Sequence, residues 1–103
     1  MEGTWVGSYQ SASNNQPQFI SFNIKPGGTL DVMNNLLDQN QINGSGNWTL
    51  INGTFSTTIT YGGGVPNSIF VAQFDTKTGT FNNETWGNFP SSTDGGTWTM
   101  TKK

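Results

Sequence analysis

Apolar and polar residues alternate along most of this 103-residue chain, and the alternation breaks at clusters of glycine, proline, asparagine and serine. A period of two marks half-buried strands, and such clusters mark the turns between them. The first strand runs from Thr4 to Gln10, with Trp5, Gly7 and Tyr9 on one face. The second, Gln18 to Lys25, sets Ile20, Phe22 and Ile24 against Ser21, Asn23 and Lys25. Thr29 to Asn34 follows with Leu30 and Val32 inward, then Ile42 to Ile51 with Ile42, Gly44, Gly46, Trp48 and Leu50 on one face. Thr54 to Tyr61 places Phe55, Thr57, Ile59 and Tyr61 together, and opposite them an outward ladder of Thr54, Ser56, Thr58 and Thr60. Ser68 to Asp75 turns Phe70, Ala72 and Phe74 inward, Thr80 to Trp86 forms a seventh strand, and Gly95 to Thr101 an eighth with Trp98 and Met100 inward. No helical period is sustained, and the segment through Leu36 and Leu37 to Gln41 reads as a loop with room for one helical turn.

The connections alternate in length. Pro26 to Gly28, Asn52-Gly53 and Thr76 to Gly79 are tight, Asn52-Gly53 carrying the strongest hairpin signal and Gly79 a left-handed turn position. Ser11 to Pro17, Asn34 to Gln41, Gly62 to Asn67 and Gly87 to Asp94 are long. Eight consecutive strands joined this way predict an all-β fold, a single up-and-down antiparallel meander closing into a small eight-stranded β-barrel, because closure removes the edges an open sheet would expose. In such a barrel alternate connections share an end, so the four long loops gather at one mouth and the tight turns seal the other. The triplets Gly3-Thr4-Trp5, Gly46-Asn47-Trp48, Gly53-Thr54-Phe55, Gly79-Thr80-Phe81 and Gly96-Thr97-Trp98 repeat a glycine two residues before an aromatic, as suits strands that crowd and bend around an enclosed ring. The interior of eight strands either fills with side chains or just holds one small ligand. The inward set, with Trp5, Trp48 and Trp98 as core packers, has the bulk to fill it.

Composition narrows the partners. Charged residues are only 10%, against roughly a quarter in ordinary domains, and four lysines with six acids leave a net charge of -2. No basic surface is available for nucleic acid or anionic lipid, and no apolar run approaches a membrane span. One domain is expected over residues 1 to 103. Either the chain is cytosolic or a leader was removed; Met1-Glu2 directly before the first strand, and a charge-poor Thr/Asn/Gly surface, suggest the second, a trimmed chain working in an extracellular or periplasmic setting.

The absence of both histidine and cysteine removes the usual triads, thiol nucleophiles, imidazole bases and zinc-cysteine sites, so a non-enzyme without a cofactor is expected. Asp31, Asp38, Asp75, Glu84 and Asp94 could supply a carboxylate pair, but Asp38, Asp75 and Asp94 sit at turns, where aspartate bonds its own backbone. The run from Asp38 to Gly44 fails as a calcium loop, because Ile42 and Asn43 stand where an oxygen ligand and a glycine are needed.

Two resemblances add to this reading. Gly3-Thr4-Trp5, the eight-strand meander and the closing Gly96-Thr97-Trp98-Thr99-Met100-Thr101-Lys102 resemble the calycin barrels, the lipocalins and avidins, and above all short bacterial lipocalin-like domains. That resemblance implies a barrel, binding at the loop-bearing end and no catalysis, and it transfers no ligand residues. Trp86-Gly87, Pro90, Gly95-Gly96 and Trp98, with Asn52-Gly53-Thr54, are similar over one loop and one turn to cyanobacterial-type mannose-binding agglutinins, whose Trp-Gly and Gly-Gly loops contact sugar.

The expected function is therefore a binding module for a small, neutral or weakly polar ligand at the long-loop mouth. A sugar-binding module using residues 86 to 98, or a filled barrel serving as a structural domain, are the alternatives. The candidate ligand residues are Tyr9 and Tyr61, each the last inward position of a strand running to the mouth, with Trp86 and Phe89 beside them. Parity from an inward Phe81 turns Trp86 outward, whereas a bulge would turn it inward and bring Glu84 with it. Ile69 and Val71, two apart on the outer face of the sixth strand, are a candidate surface for a homo-oligomer, with Phe19, Val6, Met33 and Ile51 as scattered outward apolar residues.

Overall fold

A computed structural model describes residues 2–12, 16–33, 42–61 and 67–103. The loop positions 34–41, with Leu36, Leu37 and Asp38, lie outside the described residues, as do parts of the first and third long loops. The chain forms β1 (Gly3–Ser11), β2 (Gln18–Lys25), β3 (Thr29–Met33), β4 (Gly44–Ile51), β5 (Thr54–Tyr61), β6 (Ser68–Asp75), β7 (Thr80–Asn88) and β8 (Gly96–Lys102). Each strand pairs antiparallel with the next, and β8 returns to β1 to close the barrel. Boundaries depart from the sequence reading by a residue or two. The largest change is that β4 begins at Gly44 rather than Ile42, while β7 runs on to Asn88.

The tight turns form for the anticipated reasons. Asn52 and Gly53 take positive φ (52° and 81°), as a two-residue hairpin requires, and Gly79 is left-handed at 68°. Asp75 Oδ1 accepts from Lys77 N at 2.9 Å and so fixes the β6–β7 turn. Trp48 closes the same end, its Nε1 donating to both Lys25 O and Thr29 O at 3.0 and 2.9 Å.

The alternating apolar positions meet in one core of Trp5, Ile20, Phe22, Ile24, Leu30, Val32, Phe55, Ile59, Phe70, Ala72, Phe81, Trp98 and Met100. Trp98 and Phe81 are its twin hubs: the Trp98 ring contacts Phe22, Phe55, Phe70 and Phe81 at centroid distances of 5.1 to 6.3 Å, and Phe81 also meets Trp5, Phe55 and Phe74. Trp5 sits below, toward the tight turns, against Phe74 and Phe81. Trp48 and Leu50 are half-buried and pack on this cluster's flank.

Two features depart from simple alternation. Met33, expected to face water, is buried, as is its register partner Ser21. Asn43 N donates to Val32 O at 2.7 Å and draws the returning chain back, so that Ile42 joins Met33 and Ser21 in lining one small outer groove. The second is a bulge in β7. Val71 lies opposite Thr85 but Gln73 opposite Asn82, which leaves Asn83 and Glu84 both facing the single residue Ala72. Asn83 accommodates the extra residue at φ 54°.

That bulge also shapes the β7–β8 seam. The two strands are in register only at Thr85 with Thr97 and Trp86 with Gly96. Side chains bridge the remainder: Trp98 Nε1 donates to Thr85 O at 2.8 Å, and Glu84 hydrogen-bonds Thr99. Thr99 is exposed between buried Trp98 and Met100, so Glu84 lies on the outer face. Burial against the seam pushes its carboxyl above the ordinary range, with the bonds from Thr99 and its own backbone pulling partly back.

Candidate functional site

Three of the four candidate residues converge on the long-loop mouth. Tyr9 comes from the upper half of β1, Tyr61 ends β5 and Trp86 lies near the end of β7, all half-buried above the packed interior. Past the bulge, Trp86 faces inward in register with Phe70, which reverses the parity counted from Phe81. Glu84, although two residues before the inward Trp86, lies outward, because its carboxyl hydrogen-bonds Thr99 on the outer face of β8.

Trp86 is held on every side that the structure describes. Its ring stacks on Phe70 at an interplanar angle of 17° and meets Tyr9 edge-on at 86°, with centroids 6.0 and 5.5 Å away. Nε1 donates to Gln10 O at 2.9 Å, tying β7 to β1 across the mouth of the barrel. A Cβ on Gly95 would fall 2.5 to 2.7 Å from the ring atoms Cε3, Cζ3 and Cδ2. Near-equal distances to three consecutive ring atoms place the Gly95 backbone over the face of the six-membered ring, and only glycine fits there.

Tyr61 occupies the inner wall beside Gly44, its register partner, where a Cβ would meet its ring at 2.9 Å. Its hydroxyl hydrogen-bonds Ser68. Burial pushes the phenol above the ordinary tyrosine range, the Ser68 bond pulls partly back, and neighbouring Tyr9 adds to the rise. Ser68, nearly fully buried, is the mouth residue that the sequence reading did not single out. Its signal was present, since it shares the inward parity of Phe70, Ala72 and Phe74 at the mouth end of β6.

Phe89 stands apart. It is 62% exposed and makes no ring contact among the described residues. It rides a firmly built loop: Phe89 N donates to Asn67 O at 2.9 Å, Asn88 N to Asp94 Oδ1 at 2.8 Å, and Thr93 N and Asp94 N both to Ser91 Oγ at 3.2 Å. The Phe89-Pro90 peptide is cis.

The carboxylates are dispersed. Asp31 pairs with Lys25 at 2.7 Å, while Asp75 and Asp94 bond turn backbone. Among the described residues no cluster of three acidic side chains could hold a metal ion.

The class defined by this fold and site is an eight-stranded meander barrel with a packed aromatic interior and a half-buried layer of tyrosine, serine and tryptophan at its looped end. Comparison of the chain with protein-family models, with curated proteins and with solved structures finds no match.

Proposed function

We propose that the protein is a non-catalytic binding module of the calycin kind, taking one small, neutral or weakly polar molecule at the long-loop mouth. The observation that carries this reading is the convergence of Tyr9, Tyr61, Ser68 and Trp86 at one end, half-buried or buried, over a filled core. Their hydroxyls offer donors and acceptors set in apolar rings, the mix that small-molecule sites use. The interior around Trp98 is occupied by rings, so the ligand rests on this layer instead of descending to the barrel's centre. With its ring covered by Phe70 and Gly95, Trp86 acts as a support, and a sugar-binding reading of residues 86 to 98 depends on Phe89.

The same filled interior favours a second reading, a barrel serving as a structural or interaction domain. Self-association through Ile69 and Val71, and an extracellular or periplasmic setting, belong to the proposal as well. Proton–nitrogen correlation spectra separate the two functions when the protein is titrated with a panel of phenols, fatty alcohols and neutral mono- and disaccharides. A mouth ligand shifts the amides of Tyr9, Tyr61 and Ser68 together with the Trp86 indole N–H, and Tyr61→Phe weakens it. If nothing in the panel moves these signals, the structural reading replaces the binding one.

A further inference from the structure

On the outer wall formed by β3, β4 and β5 lies a groove of about 620 Å³, on the opposite face of the sheet from the mouth layer and built wholly from described residues. Register places its side chains in rows. Asp31 stands beside Ser45 and Ser45 beside Thr60; Thr29 stands beside Asn47 and Asn47 beside Thr58. All six alternate with residues that face the barrel interior, so they point outward. Neighbours within a row stand about 4.8 Å apart and the rows about 7 Å apart, the spacings of a pleated sheet. The result is a grid of hydroxyls with one amide and one carboxylate. No side-chain hydrogen bond among the described residues takes up the hydroxyls of Ser45, Thr58 or Thr60 or the amide of Asn47.

The lining excludes most ligand classes. Lys25 stands at the edge, 45% exposed, with its ammonium 2.7 Å from Asp31, so the only two charges in the groove cancel and neither a phosphate nor a cation finds an unbalanced partner. Leu30 is the one large apolar residue in the lining and is itself buried, so the apolar surface on offer is scattered among threonine methyls and side-chain carbons between the hydroxyls and gives an apolar ligand no continuous patch. An extended peptide would need free backbone, and β4 is laddered on both sides. What remains is a neutral molecule whose own surface is a repeating array of hydroxyls, each able to donate and accept.

We propose that this groove binds a neutral oligosaccharide chain lying across the strands, with the Asp31 carboxylate, steadied by Lys25, and the Asn47 amide as its two orienting groups. The strand spacing of about 4.8 Å, that between neighbours within a row, is of the order of one sugar unit, so successive units meet successive strands. The groove has no aromatic platform and its hydroxyls are hydrated when empty, so binding is weak for one unit and grows with chain length. This site is independent of the mouth proposal, since it shares none of its residues.

The test titrates the intact protein with neutral glucose- and mannose-based oligosaccharides of increasing length, read by amide shifts. The expected result is a cluster of shifts at Asp31, Ser45, Asn47 and Thr58, with at least a tenfold gain in affinity from the single sugar to the longest chain. Asn47→Ala with Thr58→Val should weaken that binding about tenfold while leaving the melting temperature unchanged. No shifts in the groove at millimolar sugar overturns the proposal, as does a response confined to residues 88–95. A sulfated oligosaccharide binding the groove more tightly than its neutral counterpart overturns it too.

Discussion

Replacing Gly7 by alanine is expected to destabilise the barrel far more than one methyl group suggests. Gly7 sits mid-strand in β1, opposite Ile20 on one side and Met100 on the other. A Cβ there would lie 1.8 Å from Thr99 O and 2.8 Å from Met100 Cα, both backbone atoms that no rotamer change can move. Raising 1.8 Å to the 3.4 Å of ordinary contact asks β1 and β8 to part by about 1.6 Å. Ladder hydrogen bonds at about 2.9 Å do not survive that separation. Losing two costs about 1 to 3 kcal/mol, and the overpacking itself about 1 to 3 more. The opposing gain, the lower chain entropy of alanine in the unfolded state, is only about 0.5 to 1 kcal/mol. The clash wins by about 3 kcal/mol, a sizeable share of the 5 to 15 kcal/mol that holds a domain of this kind together. Urea unfolding followed by tryptophan fluorescence should show that loss, and calorimetry a melting temperature lower by about 12 °C or more. Gly79→Ala is the control: its Cβ meets nothing within 4 Å, so only the strain of φ 68° remains, about 1 kcal/mol. A Gly7→Ala protein within about 0.5 kcal/mol of the parent would refute the close approach of β1 and β8.

Trp98→Ala and Trp5→Ala should each cost about 3 to 5 kcal/mol in chemical unfolding, and an unchanged midpoint for Trp98 would remove it from the centre of the core. Because burial raises the Tyr61 pKa, its contribution to stability is whole below the ordinary tyrosine value of about 10 and is lost as pH rises through the higher folded value. Tyr61→Phe should therefore flatten the alkaline limb of the stability profile, and an identical limb in the variant contradicts the assignment. Hydrogen exchange should find the β7–β8 seam opening before the fully registered β4–β5 pair, with the Met100 amide, which alternation with the β1-bonded positions turns toward β7, exchanging faster than those of 46–50; equal protection would mean that the seam is laddered. Light scattering at micromolar concentration should detect an oligomer that Ile69→Lys with Val71→Lys converts to a folded monomer, and a monomeric parent would discard that surface.

Strand number, order and nearly all inward positions follow from the sequence, because they depend on local information. Period-two alternation sorts Ile20, Phe22 and Ile24 from Ser21, Asn23 and Lys25 whatever lies across the sheet, and Asn52-Gly53 and Gly79 choose their turns from their own backbone preferences. Tyr9 and Tyr61 were legible at the mouth for the same reason, as terminal inward residues of strands pointing the same way. Trp86 was not. Its facing depends on a bulge, and a bulge is a relation between two strands: only pairing with β6 sets Asn83 and Glu84 against one residue. Placing the indole on Phe70, with its N–H bonded to Gln10 seventy-six residues earlier, outweighs the local parity that would have turned it to solvent. Trp98's central place and the burial of Met33 were likewise decided across the barrel, by rings and chain segments distant in sequence. Periodicity reports which face of a strand is dry, whereas what meets on that face, and where a strand slips by one residue, is settled by the packing free energy of the closed barrel.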